Sequence, residues 1–163
     1  MTAVPLLSPE LLAMMARGVS VNVCSRDAAL RPSIMRAVGS DVSSDGARIT
    51  VYLARSQSAQ LLQDIASTGQ LAVVFSEPSS HRSVQLKAGA AALRPANEAD
   101  LPVLARYLAS MEIEIARVGH PPAVTRAMLA FRLDDLVAVS FTPEQAFDQT
   151  PGPRAGKPLE RGA

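Results

Sequence analysis

A mainly β, α+β fold is predicted for this chain: six antiparallel strands forming a small closed or split β-barrel, with flanking helices. Three observations lead there. Short segments alternate apolar and polar residues, turn-forming residues separate them, and two stretches with helical periodicity interrupt the strand series. With 163 residues, 48% apolar and 19% charged, the chain suits one globular domain with a core of its own. We place that domain at residues 1–148, and read 149–163, rich in Pro and Gly, as a tail laid on the surface, across a partner subunit, or disordered.

The first element is a short helix. Ser8 is a capping residue before Pro9 and Glu10, Leu11, Leu12, Met14 and Met15 follow, and Gly18 ends the run. From Val19 to Cys24, Val19, Val21 and Val23 alternate with Ser20 and Asn22, as in a half-buried strand. A turn at Arg26-Asp27 leads to a second strand from Pro32, in which Ile34, Arg36 and Val38 share a face, placing Arg36 among apolar neighbours. Ser43-Ser44-Asp45-Gly46 predicts a hairpin into a third strand, Ile49 to Leu53, so that the three form a meander.

A helix over Ser58 to Ala66 follows from Leu61, Leu62 and Ile65, with Gly69 after it. Leu71 to Phe75 is a fourth strand, Glu77-Pro78-Ser79-Ser80 a turn, and Arg82 to Ala90 a fifth strand with Ser83, Gln85 and Lys87 on one polar face. Asn97 and Asp100 cap a long helix carrying Leu101, Leu104, Leu108, Met111, Ile115 and Val118, and Pro102 fits because it lies in the first turn. Past Pro121-Pro122 come a shorter helix with Val124, Met128 and Phe131 and a last strand, Val137 to Phe141.

Several function classes find no support. The net charge is +1 and the basic residues, all Arg except Lys87 and Lys157, are scattered, so no nucleic-acid face is expected. No apolar run has the length of a membrane span, so no membrane partner is expected either. The single cysteine, Cys24, and a start without a basic-then-apolar leader point to the cytoplasm. His81, His120 and Cys24 have no metal-ligand spacing, and no glycine-flanked serine elbow or phosphate loop is present, so neither a metal nor a hydrolase triad is expected.

Four segments carry a resemblance: Pro32-Ser33-Ile34-Met35-Arg36-Ala37-Val38; Ile49-Thr50-Val51-Tyr52-Leu53 before a Ser-rich helix start; Gln70-Leu71-Ala72-Val73-Val74-Phe75; and Arg82-Ser83-Val84-Gln85-Leu86 leading to Gly89. In that order they resemble the FMN-binding split barrels related to pyridoxamine 5'-phosphate oxidase. The resemblance implies a homodimer with flavin at the subunit interface and a flavin-dependent oxidoreductase acting on a small molecule or a reduced nucleotide. It further implies that Arg36, Ser56, Gln57, Ser58, Ser83 and Gln85 hold the flavin phosphate and ribityl chain.

That assignment is physically coherent, since a phosphate calls for a guanidinium, hydroxyls and free backbone N–H groups, and a helix start supplies the last of these. No catalytic side chain is assigned, because the cofactor itself carries the redox chemistry. The chain departs from the family in having no Lys between Ser56 and Leu62, Ser83 where Gln is frequent, and no Arg-rich C-terminal segment, so vitamin B6 oxidation is not expected. Two alternatives stay open: a non-catalytic split barrel for another planar cofactor (haem or the deazaflavin F420) or for none, and a scaffold whose barrel only presents an interaction surface.

Overall fold

The structure is a computed structural model and describes residues 6–160. Helix α1 (Pro9–Arg17) begins at Ser8, whose Oγ accepts the Leu11 N–H at 3.3 Å. Strands β1 (Ser20–Arg26), β2 (Pro32–Arg36), β3 (Gly39–Val42) and β4 (Ile49–Ala54) follow, then a 3-10 turn (Arg55–Gln57) and helix α2 (Ala59–Thr68). Next come β5 (Leu71–Ser76), β6 (Ser83–Ala88), β7 (Ala91–Pro95), helices α3 (Leu101–Arg117) and α4 (Pro122–Met128), and strands β8 (Leu136–Phe141) and β9 (Gln145–Asp148).

The strands form two antiparallel sheets, one of five in the order β2-β1-β5-β6-β9 and one of four in the order β3-β4-β8-β7. The core lies between them. Val21 and Val23 of β1, Val73 and Phe75 of β5, Val84 and Leu86 of β6, and Val51, Leu53 and Val139 of the smaller sheet are fully buried. The α+β class is as predicted, but the six-strand count is not: the described residues hold nine strands. β3, β7 and β9, the three not foreseen as sequence segments, are short sheet edges. An edge strand pairs on one side only and tolerates a terminal proline such as Pro95, so none of the three shows strong apolar alternation.

The predicted meander is also corrected. The Ala37 N–H bonds Val21 O of the larger sheet at 2.9 Å, and the next N–H, of Val38, bonds Tyr52 O of the smaller sheet, also at 2.9 Å. The chain thus changes sheets between two consecutive residues, so β1–β2 and β3–β4 are hairpins in different sheets. Ile34 is 64% exposed and Val38 lies beyond the crossing. Arg36 therefore sits on the outer face of the larger sheet beside polar groups, not in an apolar cluster.

Helix α2 ends at Gly69, which has φ 70° and whose Cβ would stand 2.7 Å from Gly89 O, a position only glycine fits. The buried stripe of α3 is Leu104, Tyr107, Met111 and Glu114, while Leu101 and Val118 at the ends of the predicted stripe are exposed. Glu114 is buried because it accepts the Ser79 Oγ–H at 2.7 Å and pairs with Arg117 at 2.5 Å, anchoring the β5–β6 turn. The tail through residue 160 folds against its own chain: Asp148 N–H bonds Lys157 O at 2.9 Å, Leu159 N–H bonds Ala146 O at 2.8 Å, and Pro158 bridges Phe147. Among the described residues no helix is long and apolar enough to cross a membrane.

Candidate functional site

Strand register decides which side chains share the outer face of the larger sheet. Arg36 lies opposite Asn22, Asn22 opposite Val74, Val74 opposite Gln85, and Gln85 opposite Phe147, one transverse row over all five strands. A neighbouring row holds Ser20, Ser76 and Ser83. Both rows face away from the core because the alternating residues Val21, Val73, Phe75 and Val84 fill it.

Arg36 Nη1 donates to Ser20 Oγ at 2.5 Å, and no carboxylate stands within ion-pair distance of it among the described residues. At the other end of the serine row, the Ser83 hydroxyl donates to His81 O at 2.9 Å and accepts from Ser76 Oγ in a short bond. The Ser83 backbone is held as well, its N–H donating to Thr150 Oγ1 at 3.0 Å. Ser83 is buried and its polar atoms are already engaged. Gln85 is half-buried, with the Gln149 amide 3.5 Å from its Oε1.

Ser56, Gln57 and Ser58 form the turn between β4 and α2. Val38 runs antiparallel to the end of β4, so the strand ending in Arg36 approaches the same end of the molecule as this turn. Ser56 is occupied: its N–H and Oγ donate to the two oxygens of Asp135 at 3.0 and 2.5 Å. Gln57 is exposed. Ser58 stands at the N-terminus of α2 but forms no side-chain cap, and its Oγ is buried without a hydrogen-bond partner. The first N–H groups of a helix lack intrahelical acceptors, so this end offers donors.

One subunit does not gather all six residues. Arg36 and Gln85 are three strand positions apart, about 14 Å at the usual strand spacing, so Arg36 forms one group and Ser83 with Gln85 another, and among the described residues no hydrogen bond joins the 56–58 turn to either. Ser20 and Asn22 join the first group and Ser76 the second. The valine alternation places Ser20 and Asn22 on the outward face, but only strand register reveals their neighbours. The Asp135 contact with Ser56 spans 79 residues and has no local signal. None of the six residues lines a cavity of about 520 Å³ on the same outer face, nearer the β1–β2 turn; Ser83 alone lines another of about 290 Å³.

No family model matches the sequence, and no curated protein matches it. Solved structures do. A protein of Lactobacillus delbrueckii, named as a candidate pyridoxamine 5'-phosphate oxidase, superposes with a TM-score of 0.55 at 16% identity over 86% of this chain and 93% of its own. An F420 reductase gives 0.57 at 12% identity over 82% and 93%. A pyridoxamine 5'-phosphate oxidase-related, FMN-binding protein of Nostoc punctiforme gives 0.52 at 10% identity over 91% and 87%. The chain has the split-barrel fold of these proteins, built from two antiparallel sheets.

Proposed function

We propose that this protein is a cytoplasmic homodimer that binds FMN and serves as a flavin-dependent oxidoreductase for a small molecule or a reduced nucleotide. The observation that carries the reading is Ser58, whose buried, unpartnered hydroxyl lies at the uncapped start of a ten-residue helix. A buried hydroxyl without a partner costs roughly 1–3 kcal/mol. A phosphate at this helix start would accept from it and from the backbone donors.

Arg36, free of any carboxylate partner among the described residues, is the cation suited to that phosphate. Ser40 and Thr125 also have unpaired buried hydroxyls, so Ser58 gains its weight from the uncapped helix. Ser56 contributes less, since Asp135 holds both its donors. The separation of Arg36 from Gln85 favours a site shared between subunits, with Arg36 and the 56–58 turn from one and Ser83 with Gln85 from the other. Bound flavin would supply the hydride- and electron-accepting chemistry, and the protein's task would be to hold and orient it.

A mixed-dimer titration tests this reading. Arg36→Ala should weaken FMN binding roughly ten- to a hundredfold, the loss of a contact to a charged group. Dimers mixed from Arg36→Ala and Gln85→Ala subunits should regain one full-affinity site per dimer, because one of the two sites then carries both native groups and the other carries neither. Unchanged affinity in folded Arg36→Ala, or no recovery in the mixed dimer, overturns the shared site. The similarity to an F420 reductase favours a second reading, in which the same barrel takes a deazaflavin. Parallel titrations with FMN and F420, followed by absorbance, separate the two, and uptake of neither leaves a cofactor-free scaffold.

A further inference from the structure

We propose that the cavity of about 520 Å³ on the outer face of the larger sheet is a binding site for a small organic dianion, held between Arg26 and Lys87. Its volume is within the range of small-molecule sites. Its floor is one transverse row of the sheet, Cys24 opposite Ala72, Ala72 opposite Lys87, and Lys87 opposite Gln145, and the β1–β2 turn overhangs it with Leu30.

The charge pattern indicates the ligand class. Arg26 and Lys87 both line the cavity, and among the described residues neither has a carboxylate within ion-pair distance. Arg26 Nη1 donates only to the neighbouring Asp27 carbonyl, at 3.2 Å, and Lys87 Nζ rests 4.7 Å over the Phe147 ring. One lining carboxylate, Glu144, is turned to the backbone, its Oε1 accepting the Gly89 N–H at 2.9 Å. Two cations without an ion-pair partner, set against the one carboxylate of Glu144, leave this concave surface net positive, and such a surface focuses a field that draws in an anion. They stand on β1 and β6 with β5 between them, and Arg26 lies two residues beyond Cys24, the residue in register with Lys87, so their backbones are roughly 12 Å apart, a gap that two long side chains close on a short diacid or on one phosphate.

The lip adds a second argument. Leu30 has φ 65° and is 68% exposed. A leucine in the left-handed region is strained, and such strain concentrates at ligand-binding sites. The cavity adjoins the Arg36 row, since Lys87 follows Gln85 by two residues and Cys24 follows Asn22 by two. Its occupation does not depend on flavin.

Calorimetry on the full-length protein, with succinate in one arm and glycerol 3-phosphate in the other, tests the proposal. Cys24, the only cysteine, lines the cavity and locates the ligand through protection from maleimide alkylation, read by mass spectrometry. Burial pushes its thiol up, so labelling is run at alkaline pH. At least one dianion should bind saturably and slow alkylation. Arg26→Ala and Lys87→Met should each weaken binding about tenfold, while Arg36→Ala leaves it unchanged. Succinate alone identifies a dicarboxylate ligand and glycerol 3-phosphate alone a phosphorylated one. The proposal falls if neither binds, if binding survives both cavity substitutions in folded protein, or if Arg36→Ala abolishes it, which would move the anion to the proposed flavin phosphate site.

Discussion

The Tyr52 hydroxyl in β4 donates to Asp100 Oδ1 at 2.8 Å, joining the smaller sheet to the start of α3. Arg94 of the edge strand β7 reaches the same carboxylate with two bonds of 2.7 and 2.8 Å, and the Asn97 N–H adds a fourth at 2.9 Å. These donors, the Arg94 guanidinium foremost, hold Asp100 well below the usual carboxylate range, while burial and the adjoining carboxylate push Tyr52 up.

A carboxylate depressed in the folded state adds stability at pH values above its unfolded value, near 4, and loses it as pH falls through the folded value. Asp100→Asn should cost about 2 kcal/mol at pH 7, since Arg94 is half exposed and water screens part of the pair. The gap from wild type should narrow progressively below about pH 4. Urea denaturation at neutral and acid pH checks this, and a gap that stays constant would refute it.

Ser58→Ala has opposite expected effects on stability and on binding. Without ligand it removes a buried, unpaired hydroxyl, so stability should rise by about 1 kcal/mol, a few degrees in Tm for a chain of this size. FMN affinity should fall about fivefold as the same hydroxyl is lost from the phosphate. Differential scanning fluorimetry with and without FMN reads both. A drop in ligand-free Tm would mean that Ser58 has a structural partner.

Removing residues 150–163 should lower Tm by several degrees. The arm from Thr150 supplies an acceptor for Ser83 N–H and pairs with β9 through Lys157, Pro158 and Leu159. Without it, β9 becomes an unprotected edge. A truncated chain that melts with the full-length protein would show that the arm is loosely held.

Leu30→Asn should be neutral or raise Tm by about 2 °C, because Asn tolerates the left-handed backbone that strains a leucine. The turn itself is fixed by Asp27, which accepts the Arg31 N–H at 2.9 Å and its Nε–H at 2.7 Å. A clear fall in Tm would mean that the leucine side chain stabilises the fold and is not retained for the cavity lip.

How much the sequence alone determines is visible residue by residue. Alternation in Val19–Cys24 and the continuous apolar run Leu71–Phe75 identify central strands, because these bury one face against the core and are paired on both edges. Ser8, Gly69 and Asn97 mark helix ends, because capping is satisfied within a few residues. Arg36 and Ser58 are legible as candidates only through the resemblance of their segments to the FMN-binding split barrels.

What only the tertiary structure decides are relations between distant segments. The change of sheet at Ala37–Val38 depends on two hydrogen bonds to different strands, and nothing in the side chains from Pro32 to Val38 encodes it. The burial of Asp100 and Glu114 depends on Tyr52, Arg94 and Ser79, which supply the bonds that offset desolvation. The separation of Arg36 from Gln85, and the meeting of Arg26 and Lys87 around one cavity, are set by strand order and register. Local periodicity fixes which face a residue takes on its own strand. Which strands become neighbours is settled by long-range pairing, where the free energy of the whole core outweighs any segment's preference.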